Sequence, residues 1–473
     1  MEKAPIEFSK ELKSEETTIP GLLLFDLTVN GDNRGWFKEN WQREKQNALG
    51  LTDFIPVQNN ISFNAEKGVT RGIHAEPWDK YISVGSGSVF GAWVDLREGE
   101  TFGRVFTAII DPSKSIYVPR GVGNAFQALE DGTVYTYLVN DHWSADNPNY
   151  AFLNLADDTV NIDWPIALEN CELSEKDKNH PKLNEVSPIK PKKILVTGSD
   201  GQLGRALRVE FPDAEFVDRD EFDISNPAAW PQKNWRQYST IINAAAYTQV
   251  DMAETHQGRI DAWKVNAEAV KNLARVAIEN SLTLVHVSSD YVFDGTKSSH
   301  NEDEPFSPLG IYGQTKAAGD IAASSVPKHY IARTSWVVGE GKNFVATMAS
   351  LAEKGFKPAV VNDQIGRLTF TEDLAKAIKH LLDTESPYGV YNVSNQGDPK
   401  SWSEIASLVY EMSGHDPTSV SGVSTEEYFK DKTDISPRPM NSTLDLEKIK
   451  SSGFEPRDMI EALKKYLNRE NNQ

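Results

Sequence analysis

Tyr312 and Lys316 lie four residues apart, a spacing that puts both side chains on one face of a helix. There an ammonium can depress the phenol and orient a ribose, while the phenol gives its proton to a carbonyl oxygen as hydride reaches the carbon. Ser289, at the end of the apolar run TLVHVSS, offers a hydroxyl to the same oxygen. Upstream, Thr197-Gly198-Ser199-Asp200-Gly201-Gln202-Leu203-Gly204 follows the run KKILV and opens a helical pattern. Gly198 suits the tight turn, Gly201 lets backbone approach a pyrophosphate, and Gly204 permits close helix–strand contact. The phosphates of a dinucleotide would then sit on the N–H groups of the helix start. Roughly 20 residues on, AEFV ends at Asp218, where a carboxylate can accept ribose hydroxyls. The adjacent Arg219 can instead hold a 2′-phosphate, so NADH and NADPH both stay open.

A second group is more scattered. Arg71-Gly72-Ile73-His74 ends a β-type run, and Lys80 follows closely. With Arg34 these are cations in an acidic chain, and a barrel that gathered them would hold a pyrophosphate.

The elements that must position these residues differ between the two halves. From Gly21 to about Trp164, short runs such as GLLLFDLTV, GRVFTAIID and TVYTYLVN alternate with turn residues, as in an antiparallel sandwich or barrel. From Lys193 onward apolar strands alternate with amphipathic helices, the pattern of a doubly wound parallel sheet. Residues 178–193, KNHPKLNEVSPIKPKK, read as an extended, fairly stiff connector. The expected division is residues 1–187 and 188–473.

Composition removes several function classes. With 49 basic against 69 acidic residues and a net charge of −20, the chain presents no broad basic field for nucleic acid or an anionic membrane. Its one cysteine, Cys171, builds neither a disulfide nor a cysteine zinc site and suits a reducing cytoplasm. The charged opening stretch is no signal peptide, and no apolar run approaches the ~18 residues of a membrane span.

The C-terminal half resembles the extended short-chain dehydrogenases and, within them, the dTDP-4-dehydrorhamnose reductases. The resemblance is carried by Asn243-Ala244-Ala245-Ala246-Tyr247-Thr248, Ser289-Asp290-Tyr291-Val292-Phe293, Arg333-Thr334-Ser335-Trp336 and Arg438-Pro439-Met440-Asn441-Ser442, and it spans residues 192–470. It implies that Ser289, Tyr312 and Lys316 form the catalytic triad. Asp223, Ile224 and Ala244 to Tyr247 would line the cofactor, and Trp336 and Arg438 would face substrate.

The N-terminal half, over residues 18–180, resembles the dTDP-4-dehydrorhamnose 3,5-epimerases through Gly31-Asp32-Asn33-Arg34-Gly35-Trp36-Phe37, Val57-Gln58-Asn59-Asn60, Arg71-Gly72-Ile73-His74 and Asp163-Trp164-Pro165. That family's fold is a cupin-type jelly-roll barrel without a metal, and its members are dimers. By resemblance His74 is the base, Asp177 orients it, and Tyr137 is the acid on the opposite face. Arg34, Gln58, Asn60, Arg71 and Lys80 would bind substrate. Two departures stand out. Asn124 occupies the place of a usual histidine, and Ala75-Glu76-Pro77-Trp78-Asp79 follows His74 where the family has Tyr-Gln. A metal is not expected, because a cupin metal site calls for more than one histidine here.

Together the resemblances imply a bifunctional enzyme that epimerises C3 and C5 of dTDP-4-keto-6-deoxyglucose and then reduces C4 with NADPH or NADH. The alternative is a reductase whose barrel only binds sugar nucleotide.

Overall fold

Along Thr133–Val139, Thr133, Tyr135, Tyr137 and Val139 share one face because strand side chains alternate, and that face closes on a core. Ile82, Val84, Trp93, Ile116, Phe126 and Tyr135 meet there. The computed structural model describes residues 8–51, 54–142, 150–433 and 435–470, so the first part of the charged opening stretch lies outside the described residues. The chain divides into two units, Met1–Pro191 and Lys192–Gln473.

The first unit is built from two antiparallel sheets. One runs in the order Lys13–Glu16, Leu23–Asp26, Lys114–Val118, Lys80–Ser86, Thr133–Val139, Gln58–Asn64. The other runs Ala151–Phe152, Thr70–Ala75, Val122–Ala128, Val89–Asp95, Val105–Ile110. Their inward residues form the barrel core.

The segment expected to be an extended connector is folded onto this barrel as far as Ile189. His180 and Ile189 are buried. The Leu183 N–H donates to the Asp157 carboxylate at 2.5 Å, and Ile189 donates to Leu96 O at 2.8 Å while accepting from Glu98 N at 3.0 Å. Composition misleads here because Leu183, Val186 and Ile189, each three apart, join the barrel cluster while the flanking Lys178, Lys182 and Lys190 stay exposed.

In the second unit the apolar strands form one parallel sheet. Its order is Glu215–Val217, Lys193–Thr197, Tyr238–Asn243, Thr283–Ser289, His329–Thr334, Gly389–Asn392. Leu195, Ile241 and Leu284 pack on helix Ala269–Glu279, and Val196, Ile242 and Val285 pack on Gln202–Glu210 and Thr371–Asp383 on the other face. Strand order reverses between Lys193–Thr197 and Tyr238–Asn243, which opens the crevice where such sheets bind ligands. A smaller subdomain gathers helices Phe344–Glu353, Trp402–Met412 and Met459–Glu470 around Val345, Ile405, Val409 and Leu463. Among the described residues no helix is long and apolar enough to cross a membrane.

Candidate active sites

At the switch point Gly198 has φ +73°, and a Cβ there would fall 2.6 Å from Ala245 N, so the first turn of the fingerprint admits only glycine. A Cβ on Gly204 would collide with the carbonyls of Gly198 and Ser199, which fixes how closely the helix sits on the strand. Gly198, Gly201, Asp218, Arg219, Asp223, Ile224 and Ala244 to Tyr247 line one cavity of about 610 Å³. Gln202, Leu203 and Gly204 form the helix's first turn, whose N–H groups have no intrahelical acceptor. Their side-chain positions serve other ends: Leu203 is in the core, and Gln202 accepts from Gly339 N at 2.8 Å. A cavity with a glycine-lined turn and free helix N–H groups fits a dinucleotide. Asp218 already accepts from Asp200 N at 2.7 Å and from Arg219 N at 2.6 Å.

Ser289, Tyr312 and Lys316 are all buried in the same unit. The Lys316 ammonium donates to Val287 O at 2.7 Å, and the Tyr291 N–H donates to Ser289 Oγ at 3.2 Å. Burial pushes Lys316 down to about 8, with Asp320 opposing. The expected depression of the phenol is not found. Burial first, and then Asp290, push Tyr312 up to about 12, while a hydrogen bond with Ser289 acts the other way. Lys316 spends its charge on a carbonyl, and burial, with Asp290 and Asp320 adding to it, decides the direction.

Trp336 has φ +45°, strained for a bulky side chain, and stacks on Trp402 at 3.7 Å between ring centroids. That places it on the rim of the small subdomain's core. Arg438 is clamped by Asp251, with Nη1 and Nη2 donating to the two carboxylate oxygens at 2.6 and 2.8 Å, so its charge is largely matched.

In the barrel, Arg71, His74, Lys80, Tyr137 and Asp177 line one cavity of about 890 Å³. His74 Nε2 and Asp177 Oδ1 are 2.8 Å apart, leaving Nδ1 as the other nitrogen able to take a proton. Ser174 caps the short helix Glu175–Lys178 by accepting from the Asp177 N–H, which fixes the carboxylate's direction. Burial pushes the Tyr137 phenol up to about 12, Glu76 adds to this, and Arg71 opposes. Lys80 forms an ion pair with Glu76 and lies 5.5 Å from the Tyr137 ring centroid.

Three expected substrate residues are not among the residues lining this cavity. Arg34 sits on the hairpin Val29–Asp32/Gly35–Lys38, 86% exposed and bonded to Asp32. Gln58 and Asn60 lie on the edge strand, the Gln58 amide donating to Asn60 Oδ1 at 2.9 Å. Asn124 faces Tyr135, whose hydroxyl donates to its Oδ1 at 3.2 Å.

Residues 16–185 match the dTDP-4-dehydrorhamnose 3,5-epimerase family, and residues 192–472 match the RmlD substrate binding domain family. A protein RmlC homolog of Streptococcus pyogenes is 55% identical over 194 residues, 40% of this chain and 98% of that protein. A dTDP-4-dehydrorhamnose reductase of Aggregatibacter actinomycetemcomitans is 36% identical over 293 residues, 58% of this chain and 97% of that protein. The crystal structure of the Bacillus anthracis dTDP-4-dehydrorhamnose reductase in complex with NADP is 32% identical, covers 59% of this chain and 99% of that one, and has a TM-score of 0.54. This chain belongs to both families. An epimerase domain and a reductase domain are therefore present on one polypeptide.

Sequence reasoning missed four residues at these sites. In the reductase domain Asn266 clamps the Tyr247 loop, and Asp290 is buried beside Ser289 and Tyr312. In the epimerase domain Glu76 partners Lys80, a pair visible in the sequence as opposite charges four apart. The fourth is His180, whose Nε2 lies 3.1 Å from the same Asp177 oxygen that meets His74. The expectation of no metal rested on a single histidine, and the structure brings in a second. His74, Asp177 and His180 offer three donor atoms within 4.8 Å. Both imidazoles are nevertheless at hydrogen-bond distance from one oxygen, closer than the roughly 3.3 Å between two ligands of a tetrahedral zinc.

Proposed function

We propose that this chain performs two consecutive reactions on a dTDP-4-keto-6-deoxy sugar, inversion at C3 and C5 in the barrel and reduction of C4 in the Rossmann unit. The observation that carries the reading is the His74–Asp177 bond in a cavity shared with Tyr137 and Lys80. The C4 ketone acidifies the neighbouring C–H bonds. His74 takes the proton, Asp177 steadies the imidazolium, and Lys80 faces the enolate oxygen. The Tyr137 phenol returns a proton from the other side, so charge and protons balance over each inversion.

In the reductase a bound nicotinamide, from NADPH or NADH, supplies hydride to C4. Tyr312 delivers the proton to the carbonyl oxygen, Ser289 holds that oxygen, and Lys316 fixes the ribose. Trp336 and Arg438 bound the sugar-nucleotide side. The reading includes a cytoplasmic location, suited to a chain with one cysteine, and a homodimer through the barrel's edge strand Gln58–Asn64. There Ile61 and Phe63 are 68% and 64% exposed on the outward face.

The test gives purified protein dTDP-4-keto-6-deoxyglucose with NADPH or NADH in D₂O and reads the product by NMR. Rhamnose product carrying deuterium at C3 and C5 supports both activities. A second reading, a reductase with a binding barrel, is favoured by the Glu76 carboxylate on Lys80 and by Asn124 in a usual histidine's place. His74→Ala separates the two: exchange at C3 and C5 disappears in an active barrel, and nothing chemical changes in an inert one.

A further inference from the structure

We infer that His180 is a positioning residue of the epimerase site, whose hydrogen bond to Asp177 limits how tightly that carboxylate holds a proton on His74. The inference rests on the epimerase reading above.

The geometry is specific. Asp177 Oδ1 lies 2.8 Å from His74 Nε2 and 3.1 Å from His180 Nε2. Both rings therefore address one carboxylate oxygen. The two imidazoles meet edge to face at 5.4 Å, and Phe152 stacks on His180 at 4.8 Å while meeting His74 edge-on at 5.5 Å. The His180 backbone is pinned as well, since the Asn154 amide donates to its carbonyl at 3.0 Å. A buried ring held by stacking and by its own backbone is a fixture, not a surface side chain that happens to be near.

Its protonation state follows from its surroundings. Burial first, and then His74, hold His180 below its ordinary range, against the pull of Asp177. The ring is thus neutral and presents Nε2–H as a donor. Burial works to raise Asp177, but the bonds from His74, Ser174 and His180 outweigh it and keep the carboxyl below the usual range. Among the described residues, the other charged groups lining the cavity with this cluster are Arg71, on the strand that carries His74, and Glu76, Lys80, Glu172 and Lys176.

The consequence is chemical. A carboxylate oxygen that accepts two N–H bonds is a weaker partner for each than one that accepts a single bond. His74 must take a proton from carbon, release it, and take another at the second centre. A carboxylate serving His74 alone would give the imidazolium its whole charge and make it a poorer group to release the proton. His180 draws off part of that charge. Asn124 cannot do so, because its side chain is turned to Tyr135.

The experiment measures deuterium incorporation at C3 and C5 of dTDP-4-keto-6-deoxyglucose by the full chain, without nicotinamide, from pH 5.5 to 9. The wild type is compared with His180→Phe, which keeps the stacking and removes the donor, and with His180→Gln, which keeps a donor. In His180→Phe the acid limb of the rate moves up by about one pH unit. Exchange at pH 6.5 then falls about tenfold while the rate at pH 8.5 stays within about threefold. In His180→Gln the limb stays near the wild-type position. Should the Phe ring not be accommodated, as read by thermal unfolding, His180→Met also lacks a donor and keeps similar volume. A limb that does not move in a folded donor-less variant overturns the inference. So does an equal loss at every pH in the Gln and Phe variants, which would make His180 mere packing. Absence of exchange in the wild type sinks the epimerase reading itself and this inference with it.

Discussion

Asn266 holds the Tyr247 peptide from both ends, accepting its N–H at 2.8 Å and donating to its carbonyl at 3.0 Å. The same amide donates to Thr315 Oγ1 at 3.1 Å, on the helix that carries Tyr312 and Lys316. Asn266 can reach both because it sits in a π-helical turn, Lys264–Glu268, where the extra residue turns the side chain toward the loop. One buried side chain thus ties a wall of the dinucleotide cavity to the catalytic helix. Asn266→Ala removes all three bonds and leaves buried partners unsatisfied, at a cost of roughly 2–4 kcal/mol. The expected result is a lower unfolding temperature and a cofactor Kd raised about tenfold. Dinucleotide titration with intact affinity would show that Tyr247 keeps its place without the clamp.

Tyr312→Phe separates chemistry from cofactor binding. The hydroxyl is the proton source, whereas the dinucleotide cavity is lined by Gly198, Asp218 and Ala244 to Tyr247, and not by Tyr312. Removing one oxygen is expected to lower kcat by about 10²–10⁴ and to leave cofactor affinity within about threefold. Single-turnover kinetics alongside equilibrium titration distinguishes this from a cofactor site damaged in proportion to the rate.

Asp290 gives a pH-dependent prediction. Burial pushes its carboxyl up to about 6, against bonds from Ser442 and Ser289, while its ordinary value is 3.8. Between those values the folded chain binds a proton that the unfolded chain has lost. Stability therefore falls as pH rises from about 4 to about 6 and stays lower above that. Asp290→Asn stays neutral throughout. Its stability relative to the wild type should climb from near zero at pH 4 to roughly 1–3 kcal/mol at pH 7. Denaturant unfolding at the two pH values checks this, and a difference that does not grow with pH rejects it.

Ile61 and Phe63 point outward from a strand at the edge of its sheet, the place where a second chain can add a strand. Replacing both with lysine, which opposes edge pairing, is expected to convert a dimer into a monomer in sedimentation velocity. A dimer that survives both changes has its interface elsewhere.

Much of both sites was legible because strong local patterns announced them. Glycine at a strand–helix junction and a Tyr and Lys four apart on one helix depend on neighbours in sequence. His74 and Asp177, 103 residues apart, were joined only by family resemblance, and the structure sets them 2.8 Å apart. His180 was hidden by its setting, since Lys, Asn and Pro around it read as a connector while three apolar residues anchor that segment to the barrel. Asn266 was hidden because a π turn leaves no mark in hydrophobic periodicity. The charge balance at Arg438 was also beyond reach, because a cation in a sequence says nothing of a carboxylate such as Asp251, 187 residues away, that meets it in space.

The cofactor choice that the sequence left open can be argued from where two side chains are spent. Asp218 would select NADH by accepting the ribose hydroxyls, but both its oxygens already accept backbone N–H groups, from Asp200 and Arg219. The Arg219 guanidinium is mostly exposed at the same cavity, and Asp223 approaches it only to 3.7 Å. A guanidinium so placed can turn to a 2′-phosphate, a charge-assisted contact worth roughly 1.5–3 kcal/mol. NADPH is therefore expected to bind more tightly than NADH. Arg219→Ala should weaken NADPH by about tenfold or more and leave NADH within about twofold, read by fluorescence titration with each cofactor. Equal losses for both would mean that Arg219 shapes the loop and does not read the phosphate. A wild-type preference for NADH would mean that the Asp218 carboxylate gives up its backbone bonds to bind ribose.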